Sequence, residues 1–217
     1  MILDTTKNQL AADSALPNYD TAVGIHPKRH VPQAPIKYDF TGWAQSSMFL
    51  MPPRGFPIQQ PLYRITVELD LNPFLPVSHV TKVFRCGDQE NELVAEFSFA
   101  LNHKRAVLSM GDTVTRLSNA LFSVNSTPKH FNWILGHRLH WDCREMLGNG
   151  SPLCVCYLPP SSTAGQYEGV KIASFIPPPP DASPPLPDAT ITIFPQGHQL
   201  MDHIIVSALV VERMLTR

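Results

Sequence analysis

The sequence predicts a mostly β protein, an antiparallel sheet closed or nearly closed around an apolar C-terminal α-helix. Three observations predict it. The first is period-two alternation: Tyr63, Ile65, Val67 and Leu69 alternate with Arg64, Thr66, Glu68 and Asp70, and Leu93, Ala95, Phe97 and Phe99 alternate with Glu92, Val94, Glu96 and Ser98. Such alternation places one set on each face of a strand. The second is the placement of the 22 prolines, ten before residue 77, none from 77 to 127 and twelve from 128 onward, so the middle of the chain can pair without interruption. The third is the closing stretch QLMDHIIVSALVVERMLTR, apolar on nearly every side from Ile204 to Val211. Its β-branched content suits a strand. Its length without a turn signal, with Asp202 near the start and Arg213 and Arg217 near the end, suits a helix, and a helix over 200–216 is the expectation. A helix apolar all round needs enclosure, and a sheet wrapped around it supplies that while covering its own apolar face.

Residues 1–35 mix Asn, Asp, Thr and Pro with few large apolar groups and read as a proline-rich, flexible tail. The domain proper runs over 36–217. Its strand candidates follow in order: KYDFTGW, SMFLMPP, LYRITVELDLN, HVTKVFRC, ELVAEFSFAL, RAVLSMG, TVTRLSNAL, HFNWILGHRLHWDCRE, SPLCVCYLP, GVKIASFIPP and ATITIFP. Breakers such as GDQEN, NHK, MGD, GNG and TAGQYEG separate them, as hairpin turns require. Residues 177–188, PPPPDASPPLPD, cannot donate to a ladder and read as an exposed polyproline-type loop, a stiff connection or a docking segment for SH3 or WW domains.

Charge narrows the function. Seventeen Lys and Arg balance 18 Asp and Glu, and charged residues make up only 16 %, which argues against nucleic-acid binding. No run approaches the roughly 18 apolar residues of a spanning helix. The start, MILDTTKNQL, lacks the apolar core of a signal peptide, and Cys86, Cys143, Cys154 and Cys156 form no disulfide framework; a cytoplasmic protein with reduced thiols is expected.

Nine histidines invite a metal reading. His140 and Asp142 lie two apart and so share a strand face, His198 or His203 follows about sixty residues on, and Arg213 comes ten after His203. That order looks like an Fe(II)/2-oxoglutarate oxygenase, with His140, Asp142 and His203 or His198 as ligands and Arg213 on the cosubstrate carboxylate. The alternative is a pair of strand-surface residues. Cys154 and Cys156 share a strand face too, but tetrahedral zinc needs two more ligands, and apolar packing is the simpler role. No Gly-x-Ser-x-Gly, phosphate-cradling glycine loop or Gly-x-Gly-x-x-Gly is present.

The aromatic strand HFNWILGHRLHW, with Phe131, Trp133 and Trp141, the later GVKIASFIPP and the closing HQLMDHIIVSALVVERM with Asp202 carry a resemblance over about residues 60–217. Together they resemble the tubby-like architecture, a β-barrel threaded by a hydrophobic helix, and most of all a fungal family of tubby-like, scramblase-like barrel domains. The resemblance implies phosphoinositide binding through basic residues and association with membranes. The matching cations here are Lys104 with Arg105, Lys129 beside His130, and Arg138; each is otherwise a solvated turn or edge residue. The expectation is therefore a non-catalytic binding or adaptor module without cofactor, cytoplasmic or peripheral to a membrane, for a lipid head group, an apolar small molecule or a protein. Its alternative is the iron oxygenase.

Overall fold

A computed structural model describes residues 32–57, 59–70, 78–87, 90–100, 106–124, 127–159, 169–181, 183 and 187–216. The expected tail up to residue 31, the pair Lys104 and Arg105, and part of the proline-rich loop lie outside the described residues.

Among the described residues thirteen strands form one antiparallel sheet. Seven come first, β1 (Ile36–Phe40), β2 (Ser47–Met51), β3 (Tyr63–Asp70), β4 (Ser78–Arg85), β5 (Glu92–Ala100), β6 (Val107–Met110) and β7 (Thr113–Arg116). One helical turn, α1 (Leu117–Ala120), leads to β8 (Leu121–Ser123), β9 (His130–Trp133), β10 (Leu139–Met146), β11 (Pro152–Leu158), β12 (Val170–Ile176) and β13 (Thr190–Ile193). A 3-10 helix at Pro195–Leu200 then feeds α2 (Met201–Leu215), one residue inside the expected helix at each end.

The strand order is β7-β6-β5-β4-β3-β2-β1-β13-β12-β11-β10-β9-β8. Two meanders thus meet in the middle, where β1 pairs with β13 through Ile36 opposite Ile193 and Tyr38 opposite Ile191. The outer edges, β7 and β8, are neighbours in sequence joined only by α1. Laid flat, thirteen strands span roughly 58 Å, whereas one four-residue helical turn covers about 6 Å. The sheet must therefore curl. α1 is tied to both halves: the Leu117 N–H donates to the Ala106 carbonyl at 2.8 Å, and the Ile134 N–H donates to the Ala120 carbonyl at 2.9 Å. No ladder pairs β7 with β8, so the sheet is not closed by hydrogen bonds as the barrel expectation required.

The concave face and α2 form one core. Leu50, Ile65, Val83, Leu108, Trp133, Trp141, Ile172, Ile191 and Ile193 are buried with every residue from Ile204 to Val211. The Trp141 indole N–H donates to Ser207 Oγ at 3.0 Å, satisfying the one polar side chain inside the helix's apolar run. Among the described residues no helix is long and apolar enough to cross a membrane.

Three local expectations differ from the outcome. HFNWILGHRLHW is not one strand but the hairpin β9–β10, with Leu139 opposite Trp133. The break falls at Gly136, whose φ of +67° favours glycine and where an added Cβ would come 2.7 Å from the His203 ring, which would have to shift. TVTRLSNAL divides at α1 into two edge strands. In β5, Val83 pairs with Ala95 but Phe84 pairs with Leu93, so Val94 is the extra residue of a bulge; Val94 turns inward and Leu93 outward.

Candidate functional site

One end of the four central strands opens into a cavity of about 420 Å³. Its walls are Phe40 at the end of β1 with Thr41–Trp43 after it, Met48 on β2, Phe175 on β12, Pro178, Pro187–Ala189 before β13, and Leu209 and Glu212 on α2. The strand alternation explains the apolar part. Phe40 and Phe175 point inward from strands on either side of β13 and meet edge to face, ring centres 6.0 Å apart. Backbone bonds hold the rim: the Phe40 N–H donates to the Ala189 carbonyl at 2.9 Å, and the Thr41 N–H to that of Phe49 at 2.8 Å. Thr41 Oγ1 in turn accepts the Phe49 N–H at 2.9 Å. Trp43, 50 % exposed, stands at the mouth, whereas Trp133 and Trp141 are fully buried.

Glu212 brings a carboxylate to this apolar wall. Burial pushes its pKa up, opposed only by the neighbouring Arg213. Its backbone carbonyl accepts from the Thr216 N–H and hydroxyl, but its carboxylate has no hydrogen-bond partner among the described residues.

The far end of the helix is held by ion pairing. Asp202, in the first turn of α2, accepts the Tyr63 hydroxyl at 2.5 Å and the Arg85 guanidinium, which also reaches Glu92 at 2.6 Å. Burial and the Asp202 carboxylate push the Tyr63 pKa well above the usual phenol value. This cluster fixes α2 within the sheet.

The residues of the iron reading separate. His140 and Asp142 do share the outer face of β10, with Leu139, Trp141 and Cys143 pointing inward. His140 Nδ1 lies 2.9 Å from Asn132 Oδ1, its Nε2 contacts His130 Nε2, and the two imidazoles meet edge to face with ring centres 4.2 Å apart. Burial lowers both histidine pKa values, each histidine feeling Asp142 and Arg144 as well. Asp142 is taken by Arg144, whose Nε and Nη2 donate to its two oxygens at 2.8 and 2.5 Å and hold its carboxyl below the usual range. His203 packs instead against His137, ring centres 4.7 Å apart, and His198 against Tyr38 at 6.3 Å. Among the described residues no three His, Cys, Asp or Glu side chains are grouped to hold a metal ion. All four cysteines are unpaired thiols, with Cys143, Cys154 and Cys156 packed in the core.

The cations of the lipid reading separate too. Lys129 immediately precedes β9, and Arg138 sits in the turn after it, so the two flank a strand roughly 13 Å long from opposite ends. Lys129 has φ +60° and turns its amine toward Met146 Sδ at 3.8 Å. Sequence reasoning missed the cavity, because its walls come from five separate stretches of chain; the aromatic content of KYDFTGW, with Phe40 and Trp43 together, was its one local signal.

Among curated proteins and among solved structures nothing matches this chain. A family model described as "Family of unknown function (DUF6593)" matches residues 56–217, which include every strand from β3 onward and all of α2. With that match over most of its length, the chain belongs to the DUF6593 family.

Proposed function

We propose that this protein is a non-catalytic binding module, a tubby-like barrel that takes an apolar small molecule in the cavity between the ends of β1, β2, β12 and β13 and the last turns of α2. The observation that carries the reading is the cavity itself. Its volume of about 420 Å³ falls within the range of small-molecule sites, and Phe40, Met48, Phe175 and Leu209 give it the apolar lining such sites have. The covalent tether of the two sheet edges through α1 and the buried α2 support the barrel form. Of the three ligand classes expected from sequence, the apolar small molecule has the better support. A phosphoinositide head group needs cations converging on one surface, and Lys129 and Arg138 flank β9 from opposite ends.

Nile red, an uncharged apolar dye, tests the reading. Its fluorescence should rise on binding with quenching of Trp43, and both changes should disappear in Ala189→Phe, which fills the cavity from its rim while the fold persists. Equal dye binding by native protein and by Ala189→Phe would exclude the cavity as the site.

A further inference from the structure

We propose that the cavity selects apolar ligands bearing a positive charge, an amine or quaternary ammonium, and that Glu212 is the residue that sets this selectivity. The proposal rests on the binding-cavity reading above and adds the ligand's chemical class.

Charge complementarity carries the argument. The described lining contains two carboxylates, Asp188 and Glu212, and no Lys, Arg or His. Glu212 belongs to the last turn of α2, where carbonyl groups without helical partners place partial negative charge. Two carboxylates therefore line one cavity, one of them beside the negative end of a helix. Its aromatic residues, Phe40, Trp43 and Phe175, add rings whose faces attract cations, most of all weakly hydrated ammonium groups.

The Glu212 carboxylate is half-buried at the cavity wall and has no hydrogen-bond partner among the described residues, so it is available to pair with a ligand cation. Arg213, the neighbouring charge that acts on it, is exposed and is not among the residues of the cavity wall. A ligand cation would supply the missing partner while its alkyl part covers Met48, Leu209 and Pro178. The same inventory disfavours ligands with a phosphate or sulfate, because no cation in the described lining would meet the anion. An ammonium group could come from a free amine or from the choline head group of a lipid, and the test separates these.

Calorimetric titration of the full chain with hexyltrimethylammonium, hexanol and hexyl sulfate holds the apolar part constant and varies only the charge. The ammonium should bind about tenfold more tightly than hexanol, and the sulfate more weakly than either. Glu212→Gln should remove about tenfold from ammonium affinity and leave hexanol within about twofold, with Asp188→Asn, an exposed coil position, lowering ammonium affinity by about threefold. Co-sedimentation with phosphatidylcholine vesicles, competed by hexyltrimethylammonium, would assign the ammonium to a lipid; tight binding of the soluble probe without co-sedimentation assigns it to a free amine. Ammonium and hexanol binding equally, or unchanged selectivity in both Glu212→Gln and Asp188→Asn, would overturn the inference while the cavity reading stands. No binding of any of the three probes would overturn both.

Discussion

Trp141 and Ser207, 66 residues apart, are joined in the core by a 3.0 Å hydrogen bond from the indole N–H to the hydroxyl oxygen. Ser207 Oγ itself donates to the Ile204 carbonyl at 3.2 Å, within its own helix. The bond links β10 to the middle of α2 and fixes the helix's rotation, which an all-round apolar surface leaves underdetermined. Ser207→Ala leaves the indole N–H without its partner in the buried core, and about 1–3 kcal/mol of stability should be lost. Urea unfolding measures it; an unchanged midpoint would mean that the helix finds its register without the bond.

Gly197 gives a second stability prediction. A Cβ there would sit 2.3 Å from the Ile172 carbonyl oxygen and 3.1 Å from Ile193 Cγ2. The carbonyl is a rigid backbone group that already accepts the Phe194 N–H at 2.9 Å. Gly197→Ala should therefore destabilise by ~1–3 kcal/mol, through overpacking where β12 meets the 3-10 helix. Gly148 has nothing within 4 Å of an added Cβ, and Gly148→Ala should stay within ~0.5 kcal/mol of native. Thermal melts of the two variants side by side decide the point.

Acid should loosen the start of α2. His198 Nε2 and His203 Nδ1 are buried without hydrogen-bond partners among the described residues, and burial lowers the pKa of both histidines, with His137 lowering His203 further. A histidine whose folded pKa lies below its unfolded value of about 6.5 takes up protons more readily when unfolded. Its contribution to stability is present above about pH 6.5 and is lost as pH falls through the folded value. Urea midpoints measured from about pH 7 down to about pH 5 should fall, and less steeply in His203→Gln. A flat profile would show that water or the Asp202 carboxylate compensates the charge.

The outer histidine pair separates the two classes of function. In a binding module, His140→Ala removes the contacts to Asn132 and His130 and should cost about 1 kcal/mol, leaving ligand binding in the cavity unchanged. In an oxygenase it removes an iron ligand, and Fe(II) affinity should collapse with little loss of fold. Anaerobic calorimetry with Fe(II) should give the same weak signal for both proteins. Tight stoichiometric binding by the native chain, lost in the variant, would establish the iron reading instead.

Local physics determined much of this protein in the sequence. Alternation with period two marks β3 and most of β5 as strands, although Thr66 is buried and Leu69 exposed in the second half of β3, and the all-round apolar stretch from Ile204 to Val211 is helix, flanked by the expected Asp202 and Arg213. These features depend on neighbours a few residues away, which is why residue order alone carries them. Tertiary structure decided the rest. At Gly136 the space beside the chain is taken by His203, which arrives from 67 residues later. The bulge at Val94 depends on which residues of β4 lie opposite. The roles of Asp202 and His140 depend on Tyr63, Arg85, His130 and Asn132, partners that the strand register selects. The cavity depends on all of this together, for Phe40, Phe175, Ala189 and Glu212 become neighbours only because β1 pairs with β13 and α2 lies against them. Spacing along a chain encodes the faces of strands and helices; which faces meet is set by the curl of the sheet, a property of the folded whole.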